Sequence, residues 1–506
     1  MSAAAPTHAA CSLAQAGCGT RALVGAAAAL VALLAATNFV AGLDRPAGML
    51  WDEGYYLTST QRYEDGRAQF GTHPPLGSML LAAGDALMKP NAALDTSRLG
   101  ADKHASGEML PAGYSFLGMR LASGLAATAT ALALFGLALT LARSLPLALL
   151  AANLFVFDNA LAAHLRAAHL DAFQLLFAVL ALWALASAAI RPRHAGWREA
   201  AVGAFGAMAM LVKLNAAWLL APAAMLALLR AWERRGEGVA SGLIAAAATS
   251  LRMLAAGLLA SVLVLAAHVS IGREMPDAAT VAGRQDAAFV TGAYRRYLQH
   301  EVALSPRVLF DAAADYARFI AADADGLGLR DENSSTPAQW LRQWKPINYR
   351  WDSDGTYTAY VQLAANPVGW TLATLAPLVA AVLLWLQWRR PVDVMRARSG
   401  FLIAALLAAW IACFVLHSWI ASRRLMYLYH AFDGLLLGFL IAVLAWRAAI
   451  ERWPSLHRRQ TGALAAFAAL HLLAFLWLSP LSFHRPLTHA ACERRNLPLP
   501  AVECRP

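Results

Sequence analysis

Two adjacent carboxylates, Asp52 and Glu53, follow the first long apolar run of the chain. Ionisable groups at membrane depth are costly and mark functional sites by default. Others stand at matching ends of later apolar runs: Arg120, Asp158, Arg166, Asp171, Lys213, Arg423 and Arg424. Acids and bases from separate helices therefore converge on one face, either to work there or to pair as interfacial salt bridges that anchor the bundle. Neighbours in a helix point about 100° apart, so Asp52 and Glu53 do not share one proton. One faces a cavity as a base, and the other is held by a cation. Clustered guanidinium and ammonium groups suit a phosphate. A carboxylate base beside such a cluster at a membrane surface fits attack by a hydroxyl on a lipid-phosphate donor. The carboxylate takes the hydroxyl proton during attack, and the cations stabilise charge growing on the departing phosphate. This chemistry implies no cofactor, and it admits a divalent metal without requiring one.

These residues are positioned by a membrane bundle. Of 506 residues, 59% are hydrophobic and 14% are charged, with a mean hydropathy of +0.48. The apolar residues gather in Ala- and Leu-rich runs near 21–42, 115–142, 146–163, 168–190, 198–213, 215–230, 253–272, 368–388, 400–420, 426–447 and 461–479, each about long enough to cross a bilayer as a helix. The expected fold is an all-α polytopic membrane protein of about eleven spans. The net charge of +11 does not indicate nucleic-acid binding. The basic residues cluster between spans: Arg191, Arg193 and Arg198; Arg230, Arg234 and Arg235; Arg389, Arg390, Arg396 and Arg398; Arg447, Arg452, Arg458 and Arg459. Basic short loops face the cytoplasm, which puts the N-terminus inside and the C-terminus outside.

The expected organisation is a cytoplasmic leader (1–20), an N-terminal transmembrane module (21–272) carrying an outer loop at 43–114, a periplasmic loop (273–367), a C-terminal transmembrane module (368–479) and a periplasmic tail (480–506). In the first loop a helix from Glu53 ends near Gly66, and Pro74-Pro75 opens another whose Leu76, Met79, Leu80, Ala83 and Leu87 recur at helical spacing. That second helix lies on the membrane surface or packs on the bundle. The second loop is aromatic toward its end, with Trp340, Trp344, Tyr349, Trp351, Tyr357 and Tyr360. Such residues form an interfacial belt or platforms for sugar rings. Cys11 and Cys18 fall in the leader and should stay reduced. Cys492 and Cys504 fall in the external tail, where they pair or remain two free thiols. The cysteines show no metal-ligand spacing. A transporter or flippase would show internal repeats and symmetrically broken helices, and neither is evident.

At these same residues the sequence resembles the protein O-mannosyltransferases, glycosyltransferase family 39 of the membrane GT-C class, in a bacterial form. The resemblance runs through Trp51-Asp52-Glu53, Gly66, His73-Pro74-Pro75-Leu76-Gly77, Gly118-Met119-Arg120-Leu121, Phe157-Asp158-Asn159 to Arg166 and Leu170-Asp171, and Val212-Lys213. It continues in Lys345-Pro346-Ile347 with Tyr349, Asn366-Pro367, and Arg424-Leu425-Met426-Tyr427-Leu428-Tyr429-His430. It implies inverting transfer of mannose from a polyprenyl-phosphate carrier to Ser or Thr of exported proteins at a bacterial inner membrane. On that pattern Asp52 is the base, and Glu53 orients or pairs, with Arg120 as its partner. Arg120, Arg166, Lys213, Arg424, His73, Tyr427 and His430 are the substrate- and phosphate-binding candidates. The segment His430-Ala431-Phe432-Asp433 departs from the family's His-Tyr-Leu-Pro, and His164 and His169 around Arg166 are unusual. A related enzyme of the same class would use a lipid or glycan acceptor, as in addition of aminoarabinose to lipid A.

Overall fold

Each long apolar run folds as a helix, because a chain inside a bilayer must satisfy its backbone groups within its own segment. The computed structural model describes residues 18–191, 195–325, 331–342, 344–389, 394–496 and 504. Most of the leader, with Cys11, and Arg193 and Arg390 of the basic loops lie outside them.

The first apolar run is α1 (Cys18–Phe39). The first loop then folds as α2 (Glu53–Glu64) and α3 (Leu76–Met88). Gly66, at φ +67°, lets the chain reverse after α2. The bundle continues through α4 (Leu117–Ala142), α5 (Leu145–Val156), α6 (Asn159–Leu165), α7 (Asp171–Ile190), α8 (Gly196–Val212), α9 (Leu220–Glu233) and α10 (Val239–Ile271). The second loop holds α11 (Val281–Phe289), α12 (Gly292–Leu298), α13 (Pro306–Asp325) and the single turn α14 (Pro337–Trp340). Four long helices close the bundle: α15 (Pro367–Trp388), α16 (Val394–Ala421), α17 (Phe432–Arg452) and α18 (Gln460–Ser482). Among them α17 is central and almost wholly buried, whereas α10 turns Leu251, Leu254, Leu258 and Leu263 outward.

Among the described residues nine helices are long and apolar enough to cross a membrane, and the bent pair α5–α6 makes ten. Helix α8, with 17 residues, is the remaining expected span. Its ends meet both ends of α7. Lys213, just past α8, bonds Asp171 at the start of α7. Glu199, near the start of α8, bonds Arg230, which also reaches the carbonyl of Ala188 near the end of α7. Helix α8 therefore returns through the full depth of α7, and Asp52, Asp171, Lys213 and Arg424 share one end of the bundle, the site face.

The 60° bend between α5 and α6 has a chemical cause. Asp158 caps α6 by accepting from the Leu161 amide at 3.0 Å, and its other oxygen takes the indole proton of Trp370 at 2.9 Å. Asp158 is thus spent on shaping the turn that carries Arg166 and Asp171.

One feature lies outside the all-α expectation. Strands β1 (Ile347–Ser353), β2 (Thr358–Leu363) and β3 (Pro486–Leu487) form an antiparallel sheet on the site face in the order β1-β2-β3. Asn348 pairs with Gln362 and Arg350 with Val361, so Tyr349 is the extra residue of a β-bulge. The tail strand is fastened by a Cys492–Cys504 disulfide, packed with Tyr360 and Leu481.

Helix α3 packs in the bundle and does not lie free on the surface. It buries Leu76, Leu81, Ala82 and Asp85 against its neighbours, while Ala83 and Leu87 of the expected apolar stripe face outward. Between helices in lipid, close packing replaces the hydrophobic effect as the attractive term. A Cβ on Gly118 of α4 would stand 2.6 Å from the Asp85 Cα, and one on Gly84 of α3 would stand 2.6 Å from the Gly118 carbonyl oxygen. The close approach exists only because both are glycines. Gly118→Val should push α3 off α4 and cost about 1–3 kcal/mol. Thermal denaturation in detergent should show it as a lower midpoint, and an unchanged midpoint would contradict this packing.

Candidate active site

The two adjacent carboxylates have separate fates. Leu50 to Glu53 form a tight turn in which Trp51 takes φ +44°, a strained value for a bulky residue. Glu53 is fully buried and accepts four hydrogen bonds. Its Oε1 takes Arg120 Nε at 2.8 Å and the Ala168 amide at 2.9 Å. Its Oε2 takes Arg120 Nη2 at 2.7 Å and the Leu50 amide at 2.7 Å. Arg120 spends all five of its donors. Beyond Glu53, Nη1 reaches the carbonyls of Leu43 and Pro46, and Nη2 reaches that of Gly48. This clamp ties α4, the irregular segment of turns and bends before α2, and the α6–α7 turn together.

Asp52 points elsewhere. It is half-buried, and among the described residues its side chain accepts one hydrogen bond, from the Tyr429 hydroxyl at 3.1 Å. Lys213 and Arg424 both act on it through space, and the anionic Asp171 opposes them. Burial pushes the Asp52 carboxyl up to about 6, against the lowering pull of Lys213, of the Tyr429 bond and of Arg424.

The cations divide in the same way. Arg120 has no donor left for a phosphate, which corrects the expectation that it binds one. Arg166 is also committed: Nη1 and Nη2 bind the carbonyls of Asn38 and Gly42 at 2.7 and 3.1 Å, where a cation complements the end of α1. Lys213 is different. It gives two of its three protons to Asp171, at 2.8 and 2.9 Å, and lies 5.4 Å from the centre of the Tyr429 ring. Arg424 is partly exposed, and its Nε is enclosed with no partner among the described residues. Lys213 and Arg424 are therefore the two cations beside Asp52 with donors to spare.

His73, half-buried, is drawn into the same neighbourhood. Burial, Lys213 and Arg424 hold its imidazole well below the ordinary histidine range, so the ring is neutral at pH 7. Tyr427 and His430 form a wall with Tyr429. The Tyr429 and His430 rings stack at 4.4 Å, those of Tyr427 and Tyr429 at 5.6 Å, and Tyr427 meets Trp51 edge-on. His430 Nδ1 accepts from the Tyr427 amide at 3.1 Å. Beside His430 a narrow apolar cleft opens between α14, α15, α16 and α17, lined by Trp340, Trp370, Trp410, Phe414 and His417.

Sequence reading singled out neither Tyr429 nor Tyr349 as site residues. Tyr349 stacks on Trp51 at 5.4 Å, and its hydroxyl meets buried His164. The available signal was the position of Tyr429 immediately before His430 and of Tyr349 beside Lys345-Pro346-Ile347. Cys413, His417 and Asp433 lie close enough together to suggest a metal site. However, His417 already bonds the Cys413 carbonyl through Nδ1 and Asn215 through Nε2, and Gln174 bonds Asp433. A metal would have to displace one of these bonds.

Breaking a buried ion pair from one side leaves an uncompensated charge and costs about 3–5 kcal/mol. Arg120→Ala should therefore lose folded protein, and Arg120→Lys should fare little better because one ammonium cannot replace a five-donor fork. Size-exclusion recovery and thermal denaturation would report this. Wild-type stability of Arg120→Ala would contradict the clamp.

With this geometry in view, comparison with known proteins gives the following. The family described as dolichyl-phosphate-mannose-protein mannosyltransferase matches residues 29–270, and the C-terminal four-transmembrane region of protein O-mannosyltransferase matches 317–498. No curated protein matches the chain. The chain is similar to the Saccharomyces cerevisiae protein O-mannosyltransferase Pmt1-Pmt2 complex bound to its sugar donor. That match has a TM-score of 0.77 and 13% identity, over 94% of this chain and 92% of that one. The Archaeoglobus fulgidus oligosaccharyltransferase AglB matches at a TM-score of 0.48 and 11% identity, over 97% and 60%. ArnT from Cupriavidus metallidurans, bound to undecaprenyl phosphate, matches at 0.31 and 13%, over 86% and 78%.

Proposed function

The chain belongs to the protein O-mannosyltransferase family, which makes it a multi-pass membrane glycosyltransferase, and we propose that it moves a mannosyl residue from a polyprenyl-phosphate carrier to Ser or Thr hydroxyls of exported proteins. The observation that carries this reading is the separation of Asp52 from Glu53. Glu53 is consumed by Arg120, while Asp52 keeps a partly accessible carboxylate opposite two cations with unused donors.

Asp52 takes the proton of the acceptor hydroxyl as its oxygen attacks the sugar carbon. The bond from that carbon to the phosphate oxygen breaks, and the sugar inverts. Charge moves onto the leaving phosphate, where Arg424 and the third proton of Lys213 stabilise it. Asp171 holds Lys213 through two hydrogen bonds and aims it. We assign the carrier's isoprenoid chain to the apolar cleft that begins at His430, and the approach to the sugar to Tyr427, His430 and His73. No step needs a metal.

Orientation follows the positive-inside rule. Arg198, Arg230, Arg234 and Arg447 gather at the end of the bundle away from Asp52, which supports the reading that the site face lies outside a bacterial inner membrane. The Cys492–Cys504 disulfide on the site face suits an oxidising compartment.

The test uses a labelled polyprenyl-phosphate-mannose and a Ser/Thr peptide. Asp52→Asn should reduce transfer by about 10²–10⁴-fold with donor KM little changed, and full activity in that variant would remove Asp52 as base. Transfer to a lipid acceptor but to no peptide would favour the lipid- or glycan-acceptor form of the same chemistry. Asp52 works ionised and its carboxyl sits near 6, so activity should fall as pH drops through about 6 and level off above it. A profile flat to pH 4.5 would contradict that assignment. Arg424→Gln should raise donor KM, and a peptide-only effect would place the phosphate elsewhere.

A further inference from the structure

The reaction above assigns His164 and His169 no task. Both are buried beside the reacting region, at 1% exposure. His164 is a node with defined bonding. Its Nε2 lies 2.9 Å from Asp171 Oδ2, an oxygen that also accepts from Lys213. The carboxylate is the acceptor there, so Nε2 carries the imidazole proton. Nδ1 then has a free lone pair, and the Tyr349 hydroxyl donates to it at 2.5 Å.

Each partner leads to Asp52. The His164 ring stacks on Tyr429 at 4.7 Å and 20°, and the Tyr429 hydroxyl donates to Asp52. The Tyr349 ring stacks on Trp51 at 5.4 Å and 18°, and Trp51 adjoins Asp52 in the strained turn. An independent feature of the backbone points the same way. Tyr349 is the extra residue of the β1 bulge, and bulges re-aim a side chain that a regular strand would direct along its ladder.

We propose that His164 is a positioning residue for Asp52, holding Tyr429 by stacking and Tyr349 by hydrogen bonding so that both aromatic walls fix the carboxylate in its working direction. Asp171 serves two groups at once, aiming the Lys213 ammonium and selecting the tautomer of His164. The inference rests on the reading of Asp52 as base. Displacements of about 1 Å at a reacting group cost about 10²-fold in rate, which sets the scale of the expected effect.

The experiment compares wild type, Asp52→Asn, His164→Phe and Tyr349→Phe as full-length protein, with labelled polyprenyl-phosphate-mannose and peptide. His164→Phe keeps the stacking ring and deletes both hydrogen bonds; Tyr349→Phe deletes one oxygen and keeps the ring. Both should lower kcat about 10–100-fold, with donor KM within about twofold. In both, the acid limb of the pH profile should move to higher pH, because a ring at 164 that has lost hydrogen-bond anchorage to Asp171 or Tyr349 holds the stacked Tyr429, and through it the Asp52 carboxylate, less firmly. The groups facing Asp52 are Lys213, Arg424, Asp171, Tyr55, Tyr56, Tyr349, Tyr427 and Tyr429, none of them replaced in His164→Phe, and those facing His164 itself are Asp171, Lys213, His169, Tyr349 and Tyr429. Folded His164→Phe and Tyr349→Phe proteins with wild-type kcat and acid limb, alongside an inactive Asp52→Asn, would overturn the inference and leave the base standing. Full activity in Asp52→Asn would overturn both. Should His164→Phe not fold, Tyr349→Phe decides alone.

Discussion

Seven hydrogen bonds meet at the buried Glu53–Arg120 pair, two between the side chains and five to backbone, and they use all five guanidinium donors. A buried pair is a poor source of net stability, since desolvation offsets much of its attraction. Its effect here is geometric. The segment from Leu43 to Gly48 has little secondary structure of its own, and Arg120 gathers three of its carbonyls onto one guanidinium. With that segment fixed, Trp51 can be held at φ +44°, a strain of about 1–3 kcal/mol that only over-determined surroundings tolerate. The turn then delivers Asp52 to the opposite side of the chain from Glu53.

The same constraint sorts the other charges. Arg166 closes the end of α1, and Asp158 bends α5 against α6, so both shape the frame. What remains beside Asp52 is Lys213, steadied by Asp171, and Arg424, whose guanidinium is less committed. Enclosed by aromatic rings and membrane helices, these cations act in a medium of low polarity, where a fixed charge is worth more than in water. The site thus separates cations that build the frame from cations that can meet an anionic substrate.

Part of this was legible in the sequence, for physical reasons. Spans declare themselves through the length of apolar runs, and charges at their ends are rare enough to stand out. Helical geometry leads to the expectation that Asp52 and Glu53 point apart, but Asp52 precedes α2 and the tight turn at Trp51 is what separates them, while the Gly66 and Pro74-Pro75 signals bound α2 and α3. The division of labour among the arginines was not legible, because Arg120 and Arg166 find their partners in backbone carbonyls that carry no residue-type signal. The sheet was missed since β3 is two residues from the distant tail, paired with β2. Tyr349 reads as a belt residue ahead of a sugar platform, and its bulge depends on the register of β1 against β2. His164 likewise needs Tyr349, 185 positions away. Family motifs brought Tyr427 and His430 into view, yet the ring that touches Asp52 is the one between them.

The central claim is that Arg424 and Lys213, and not Arg120 or Arg166, receive the donor's phosphate beside Asp52. The most direct measurement is an experimental structure of the full-length protein with a non-hydrolysable polyprenyl-phosphate-sugar analogue. The account predicts phosphate oxygens within hydrogen-bond distance of the Arg424 guanidinium and Lys213 Nζ, with the sugar carbon facing Asp52 and the Glu53–Arg120 clamp intact. A phosphate bound by Arg120 after release of Glu53, or seated at the opposite end of the bundle near Arg230, would contradict it.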